Sequence, residues 1–161
     1  MIDRVTAHAQ AVCSGLINRK IGHSEYLCCQ RHLQDLERQG TSKFPYIFDI
    51  EKSLTMIDFA EMLILAEGDE VQPLKLWGFQ DFIFGSWQGW IHKDTKRRRF
   101  RTSYFRVARQ NGKSLGNAVP TMYYGNFSGY NYPQIYCVAT KADQAKIVMN
   151  ECSKFINSDV E

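Results

Sequence analysis

The apolar positions of the first third of the chain repeat at helical spacing. Ile2, Val5, Ala9, Val12 and Leu16 predict one helix over residues 2–18, and Gly22 interrupts it. A second helix is predicted to start after Ser24, whose hydroxyl can cap free backbone N–H groups. It runs through "EYLCCQRHLQDLERQ" and stops at Gly40. "TSKFPYIFD" reads as an aromatic connector, with Pro45 disfavouring helix at Phe44. Asp49 is a candidate cap for a third helix through about Ala66, with Ile50, Leu54, Ile57, Met62 and Leu65 as its inward face. The first 67 residues therefore read as a small helical subdomain. The turn-rich link "EGDEVQP" (67–73) divides the chain into residues 1–70 and 71–161.

The pattern then changes. "GFQDFIFGSWQGW" (78–90) predicts a short aromatic-rich helix, and "HKDTKRRR" a polar loop. "FRTSYFRVA" (100–108) alternates aromatic or β-branched residues with polar ones, the period of a strand. "KSLGNAVPTMYYG" suits a helix, although Pro120 lies eight residues into it and conflicts with a helix interior. A second strand is predicted at about Gln134–Ala139, and a last helix over "KADQAKIVMNECSKFI". Strand, turn, helix, strand, helix is the opening of a parallel sheet. The expected fold class is α/β: a helical subdomain followed by the incomplete start of a parallel sheet.

Composition narrows the picture. Of 161 residues, 44% are apolar and 23% charged, as in globular domains. No apolar run approaches the roughly 20 residues of a membrane span, and "MIDRVTAHAQ" lacks a signal peptide's apolar centre. Five cysteines, an odd number with Cys28 and Cys29 adjacent, do not suggest a disulfide framework, so a reducing cytosol is expected. The net charge of +3 conceals an asymmetry. Residues 93–113 hold nine Lys/Arg and one acid, Asp94, a net +8 that leaves −5 for the rest. Such a local field suits phosphates.

Inside that segment lies "VARQNGKSL" (107–115), which ends like a phosphate-binding loop but has Val107 where the usual pattern has glycine. A phosphate loop needs inward backbone N–H groups, a helix N-terminus behind them and a lysine reaching the terminal phosphates. Gly112 supplies the backbone geometry, Lys113 the charge and Ser114 a hydroxyl for magnesium. The predicted strand ends at Ala108 and the predicted helix starts near Lys113, which is the context such a loop requires.

"RFRTSYFRVARQNGKS", followed by "QIYCVATKADQAKIVMNE", resembles the large terminase subunit of tailed bacteriophages and prophages, the ATPase that drives DNA into the procapsid. That family uses a variant loop, A-R-[KQ]-N-G-K-[ST], in which the first glycine is absent. "CQRHLQDLER", "FPYIFD" and "LWGFQDFIFGSWQGW" also have counterparts there. The resemblance implies a P-loop ATPase with ATP and Mg²⁺ as ligands. Lys113 would hold the β- and γ-phosphates, Ser114 would ligate Mg²⁺, and Gln110, Asn111 and Gly112 would offer backbone N–H groups. Arg109 would act on the γ-phosphate like an arginine finger supplied in cis. Gln80 would read adenine with its amide. Thr140 and Lys141 would lie at the second strand's C-terminal end, where open α/β sheets place ligands. The implied partners are double-stranded DNA, a small terminase subunit and a portal, in the cytoplasm of a bacterial host, with no membrane.

One departure from the family pattern stands out. An acidic pair at the end of another strand is needed for magnesium and for activating water. The acids after Ser114 are Asp143, Glu151, Asp159 and Glu161, and none follows an apolar strand. "LILAEGDE" (63–70) imitates the pattern, but it precedes the loop and lies on a predicted helix. With no nuclease domain either, the chain is expected to be the N-terminal part of the ATPase domain, a fragment or prophage remnant with little hydrolysis alone. The alternative is a non-catalytic DNA-binding or assembly module with a vestigial phosphate loop. Self-association through an unpaired sheet edge is a further expectation.

The remaining chemistry-bearing residues read as structural. Cys28, Cys29 and His32 lack the second ligand pair that zinc needs, and are expected to be buried thiols beside a surface histidine. His8, His23 and His92 lack a carboxylate or cysteine partner suggesting catalysis. Trp77, Trp87 and Trp90 are expected to pack in the core rather than stack on bases. The run Lys96–Arg101 either touches DNA phosphates or forms an exposed hairpin loop.

Overall fold

A computed structural model of the chain describes residues 3–67, 70–108 and 111–158. They form two units that interleave along the sequence: residues 1–57 with 76–103, and residues 58–75 with 104–161. The expected link at 67–73 falls within the second unit, in a β-hairpin.

The first unit contains α1 (Arg4–Cys13), α2 (His23–Arg38), β1 (Tyr46–Phe48), the first two turns of α3 (Ile50–Met62), α4 (Gly78–Gly89) and β4 (Trp90–His92). Helix α1 packs on both α2 and α4. Asp3 caps α1 by accepting from the Thr6 N–H at 2.9 Å, and Asp49 caps α3 through the Lys52 N–H at 3.0 Å, each satisfying an otherwise orphan donor. Gly22, not Ser24, is the N-cap residue of α2. The inward stripe of α3 is Ser53, Met56, Ile57 and Ala60, spaced i, i+3, i+4, i+7. Ile50 and Met62, expected inside, are exposed.

Strands β1 and β4 pair antiparallel, Ile47 opposite Ile91. The chain leaves β4 through a tight turn in which Lys96 adopts φ 56°. It then folds back so that Arg98 bridges Ile91 and the Arg99 N–H donates to the Trp90 carbonyl at 2.8 Å. The "HKDTKRRR" segment is therefore a hairpin.

The second unit holds the end of α3, the hairpin of β2 (Ile64–Glu67) and β3 (Glu70–Pro73), α5 (Lys113–Phe127) and α6 (Ala142–Ser158). Its core lies between α5 and α6. Ala118, Val119 and Tyr123 of α5 are buried, as are Cys152 and Phe155 of α6, and Phe59 meets both Tyr123 and Phe127 edge to face. Residues 64–67 are a strand rather than the predicted helical end, so the helix argument against "LILAEGDE" does not hold; its position before the loop does.

The expected parallel sheet is not formed by the described residues. The two small sheets, β1–β4 and β2–β3, are both antiparallel. Segments 100–108 and 134–139 carry neither strand nor helix. Burial alternates in the first, where Phe105 and Val107 are half-buried between exposed Tyr104, Arg106 and Ala108, whereas in the second Cys137 alone is half-buried. The strand periodicity is present in the sequence, but a strand needs a neighbour to receive its hydrogen bonds. No helix of the described residues is long and apolar enough to cross a membrane.

Candidate functional site

The second unit carries the loop. Gly112 is the N-cap residue of α5 with φ 66° and ψ 25°, a left-handed conformation that glycine adopts without the Cβ clash other residues suffer. Its carbonyl accepts from the Gly116 N–H at 2.7 Å and opens the helix. Lys113 is the first helical residue and points to solvent; Ser114, the second, is half-buried; Asn111 is exposed. The cap residue, a glycine, offers no side-chain cap, and no acid lies in the first turn of α5. The first-turn N–H groups carry positive partial charge. Residues 104–141 contain Arg106, Arg109, Lys113 and Lys141 and no acid at all. Arg109 and Gln110, both expected at the site, lie outside the described residues.

Two features of α5 follow from its sequence. A Cβ on Gly116 would come within 2.8 Å of the Phe105 ring, so glycine lets the extended segment lie directly on the helix. Pro120 neither breaks nor shortens α5, which runs on to Phe127. It costs the hydrogen bond to the Gly116 carbonyl, and its buried ring contributes apolar packing in return.

Thr140 and Lys141 start α6 rather than end a strand. The Lys141 carbonyl accepts from the Gln144 and Ala145 N–H groups at 3.1 and 3.2 Å, and the Thr140 hydroxyl meets the Gln144 side chain at 3.3 Å. Gln80 belongs to the first unit. It is buried in the first turn of α4, and its Oε1 accepts from the Trp77 N–H at 2.9 Å. Because a backbone N–H can only donate, this bond fixes the amide orientation and leaves the NH₂ group for other partners.

The basic run is divided by the fold. Lys96, Arg97 and Arg101 are exposed. Arg99 turns inward, bonding Asp35 at 2.5 Å and lying over the rings of Phe44 and Phe100 at 4.6 and 4.8 Å. Arg38 bonds the other oxygen of Asp35, also at 2.5 Å. Asp35 is fully buried, and two guanidinium groups with their fork-shaped donors compensate its charge. Lys93 donates to the Gly40 carbonyl at 3.1 Å.

The histidines also differ from expectation. His32 is buried, not on the surface. The indole N–H of Trp90 donates to its Nδ1 at 3.0 Å, which leaves Nε2 to carry the proton toward the Thr6 hydroxyl, also at 3.0 Å. Burial holds the His32 pKa down at about 4, so the ring is neutral. His8 does have a carboxylate partner, Glu25 at 3.2 Å, which Arg19 also grips. Burial outweighs that partner and lowers the His8 pKa. Cys29 is buried as expected and its thiol is pushed up to about 12 by burial, which makes it a poor nucleophile. Trp90 is core, Trp87 is half-buried, and Trp77 is largely exposed. Among the described residues no group of His, Cys, Asp or Glu could hold a metal ion by itself.

A family model described as "Terminase large subunit, ATPase domain" matches residues 78–161, just over half of the chain. The matched stretch contains both Gln80 and the Gly112–Ser114 turn. No curated protein and no solved structure matches the chain.

Proposed function

The chain belongs to the terminase large-subunit ATPase-domain family, and from that premise we propose that it is the nucleotide-binding segment of a phage or prophage motor that packages DNA. The start of α5 carries the reading. A left-handed Gly112 turns the chain into a helix whose cap residue offers no side chain, with Lys113 beside it and no acid near in sequence. That donor set fits the terminal phosphates of ATP.

In this reading the Asn111, Gly112 and Gln110 amides orient the phosphates, and the Lys113 ammonium neutralises the β- and γ-phosphate charge. Arg109 stabilises charge on the γ-phosphate. Ser114 would ligate Mg²⁺, which when bound supplies further charge neutralisation on the phosphates. The role of Gln80, an adenine contact through its amide, is carried over from the family resemblance. Positioning and charge neutralisation are the whole contribution of these residues. The parent assembly would bring double-stranded DNA, a small terminase subunit and a portal together in the bacterial cytoplasm. ATP with Mg²⁺ should raise the melting temperature, and Lys113→Ala or Arg109→Ala should each abolish the shift.

A second reading, a non-catalytic DNA-binding or assembly module, is favoured by the exposed Lys96 and Arg97 on the hairpin and the exposed Arg101 just after it. Absence of any ATP-induced shift, together with salt-sensitive DNA binding lost in Lys96→Ala/Arg97→Ala, would select it. Arg99 is unsuitable for that test because it holds Asp35.

A further inference from the structure

The Gln80 amide is tied to the first turn of α4 by its bond to the Trp77 N–H, so its placement follows the placement of that turn. The turn rests on a side chain of α1. His8 is buried, and its ring lies against the Gly78 backbone, where a Cβ would come within 2.7 Å of Nδ1. One turn further along α4, the Phe82 ring stands 5.9 Å from the imidazole, centroid to centroid.

His8 is itself clamped. Its Nε2 meets a Glu25 carboxylate oxygen of α2 at 3.2 Å. Arg19, in the loop before α2, holds both oxygens of Glu25, at 2.5 and 3.0 Å, and its guanidinium lies 5.9 Å from the Phe79 ring. A carboxylate can only accept, so Nε2 carries the proton, and in the neutral ring Nδ1 is the unprotonated nitrogen turned to Gly78. An aliphatic side chain could fill this space without the cost of desolvating an imidazole and a carboxylate. What the imidazole adds is direction, because the bond to Glu25 fixes the ring against α4.

We infer that His8 is a positioning residue for Gln80: oriented by Glu25 and Arg19, it sets where the first turn of α4, and with it the Gln80 amide, is held for an adenine base. The inference rests on the adenine role proposed for Gln80. It adds that affinity for the base is set from α1 and α2, separately from affinity for the phosphates.

Calorimetric titration of the whole chain with ATP–Mg²⁺ and with tripolyphosphate–Mg²⁺, which has phosphates and no base, tests this. Gln80→Ala measures the base contribution: ATP should weaken about tenfold, the scale of one hydrogen bond, and tripolyphosphate should not weaken. His8→Ala should reproduce that pattern. So should Gly78→Ala, which drives a Cβ into the ring. In His8→Ala/Gly78→Ala the Cβ has room, and ATP should bind more tightly than to Gly78→Ala alone, a rescue that general loss of structure could not give. If the wild type binds neither ligand, or if Gln80→Ala spares ATP, the proposed function is wrong and the inference falls with it. If Gln80→Ala weakens ATP while His8→Ala and Gly78→Ala do not, the adenine role stands and the positioning role of His8 is overturned. Equal losses for both ligands in the His8 and Gly78 variants overturn it as well.

Discussion

The two units of this chain treat their polar and apolar groups in opposite ways. The first unit buries charge and pairs all of the charge it buries. Asp35 lies between Arg38 and Arg99, Asp81 is gripped by Arg4 at 3.0 Å, and the His32 ring is bonded on both nitrogens. The second unit leaves its distinctive groups open: a helix N-terminus with a glycine cap and an exposed lysine, and segments 104–108 and 134–139 outside any ladder. Buried, paired polar groups spend their interaction energy on holding the fold. Donors at a helix end can serve a ligand, so the proposed phosphate site is assigned to the second unit although the first holds more ionisable side chains in its interior.

The largest effect should come from breaking the paired interior. Asp35→Ala leaves the largely buried Arg99 guanidinium without its partner, while Arg38 stays open to solvent, and a loss of roughly 3 kcal/mol is expected. Urea denaturation followed by tryptophan fluorescence would show it, since Trp90 lies beside Arg99. Nucleotide binding by the variant protein, where it remains folded, should be unchanged.

The next effect is a pH dependence. The His32 pKa is lower in the folded state than its ordinary 6.5, at about 4. The unfolded chain therefore binds the extra proton first. Stability from this residue is complete above pH 6.5 and falls as pH drops toward 4, by about 3 kcal/mol in all. His8, also lowered by burial, acts in the same direction. Melting temperature against pH should fall across that window, and His32→Gln should flatten the slope.

A smaller effect is expected at the turn. Gly112→Ala puts a Cβ at φ 66°, a cost of about 1–2 kcal/mol. Calorimetry should show that modest loss together with a disproportionate loss of ATP affinity. The same substitution at a left-handed glycine without a role, Gly15, should cost stability alone. Smaller still, Gln80→Ala removes a bond to the N–H of Trp77 and should cost ~1 kcal/mol in thermal denaturation.

How much of this was readable beforehand depended on the range of the interactions. Helix starts at Asp49 and Lys113 and the end near Gly40 rest on neighbours within a few residues, and these features appear as expected. The inward face of α3 was misjudged because Ser53 and Ala60 are buried while Ile50 and Met62 are not, a choice made by the surrounding elements rather than by hydropathy. Arg99 looked like one member of a solvated basic run, because its partner Asp35 is 64 residues away. His32 looked exposed because its partner Trp90 is 58 residues away. The alternation at 100–108 is legible, but pairing is a property of two segments, and no periodicity within one segment supplies the second; the strand expected at 134–139 forms no ladder either. The turn into α5 was legible because its geometry is local: Gly112 is left-handed and Lys113 opens the helix.

The contrast between the units can be tested most directly by following backbone amide signals in a ¹⁵N–¹H spectrum during titration with ATP–Mg²⁺. The account predicts saturable shifts at Gly112, Lys113 and Ser114, abolished by Lys113→Ala, while the amides of Asp35 and Arg99 stay in place. Unmoved signals at residues 112–114, with shifts confined to the Lys96–Arg97 hairpin, would contradict it.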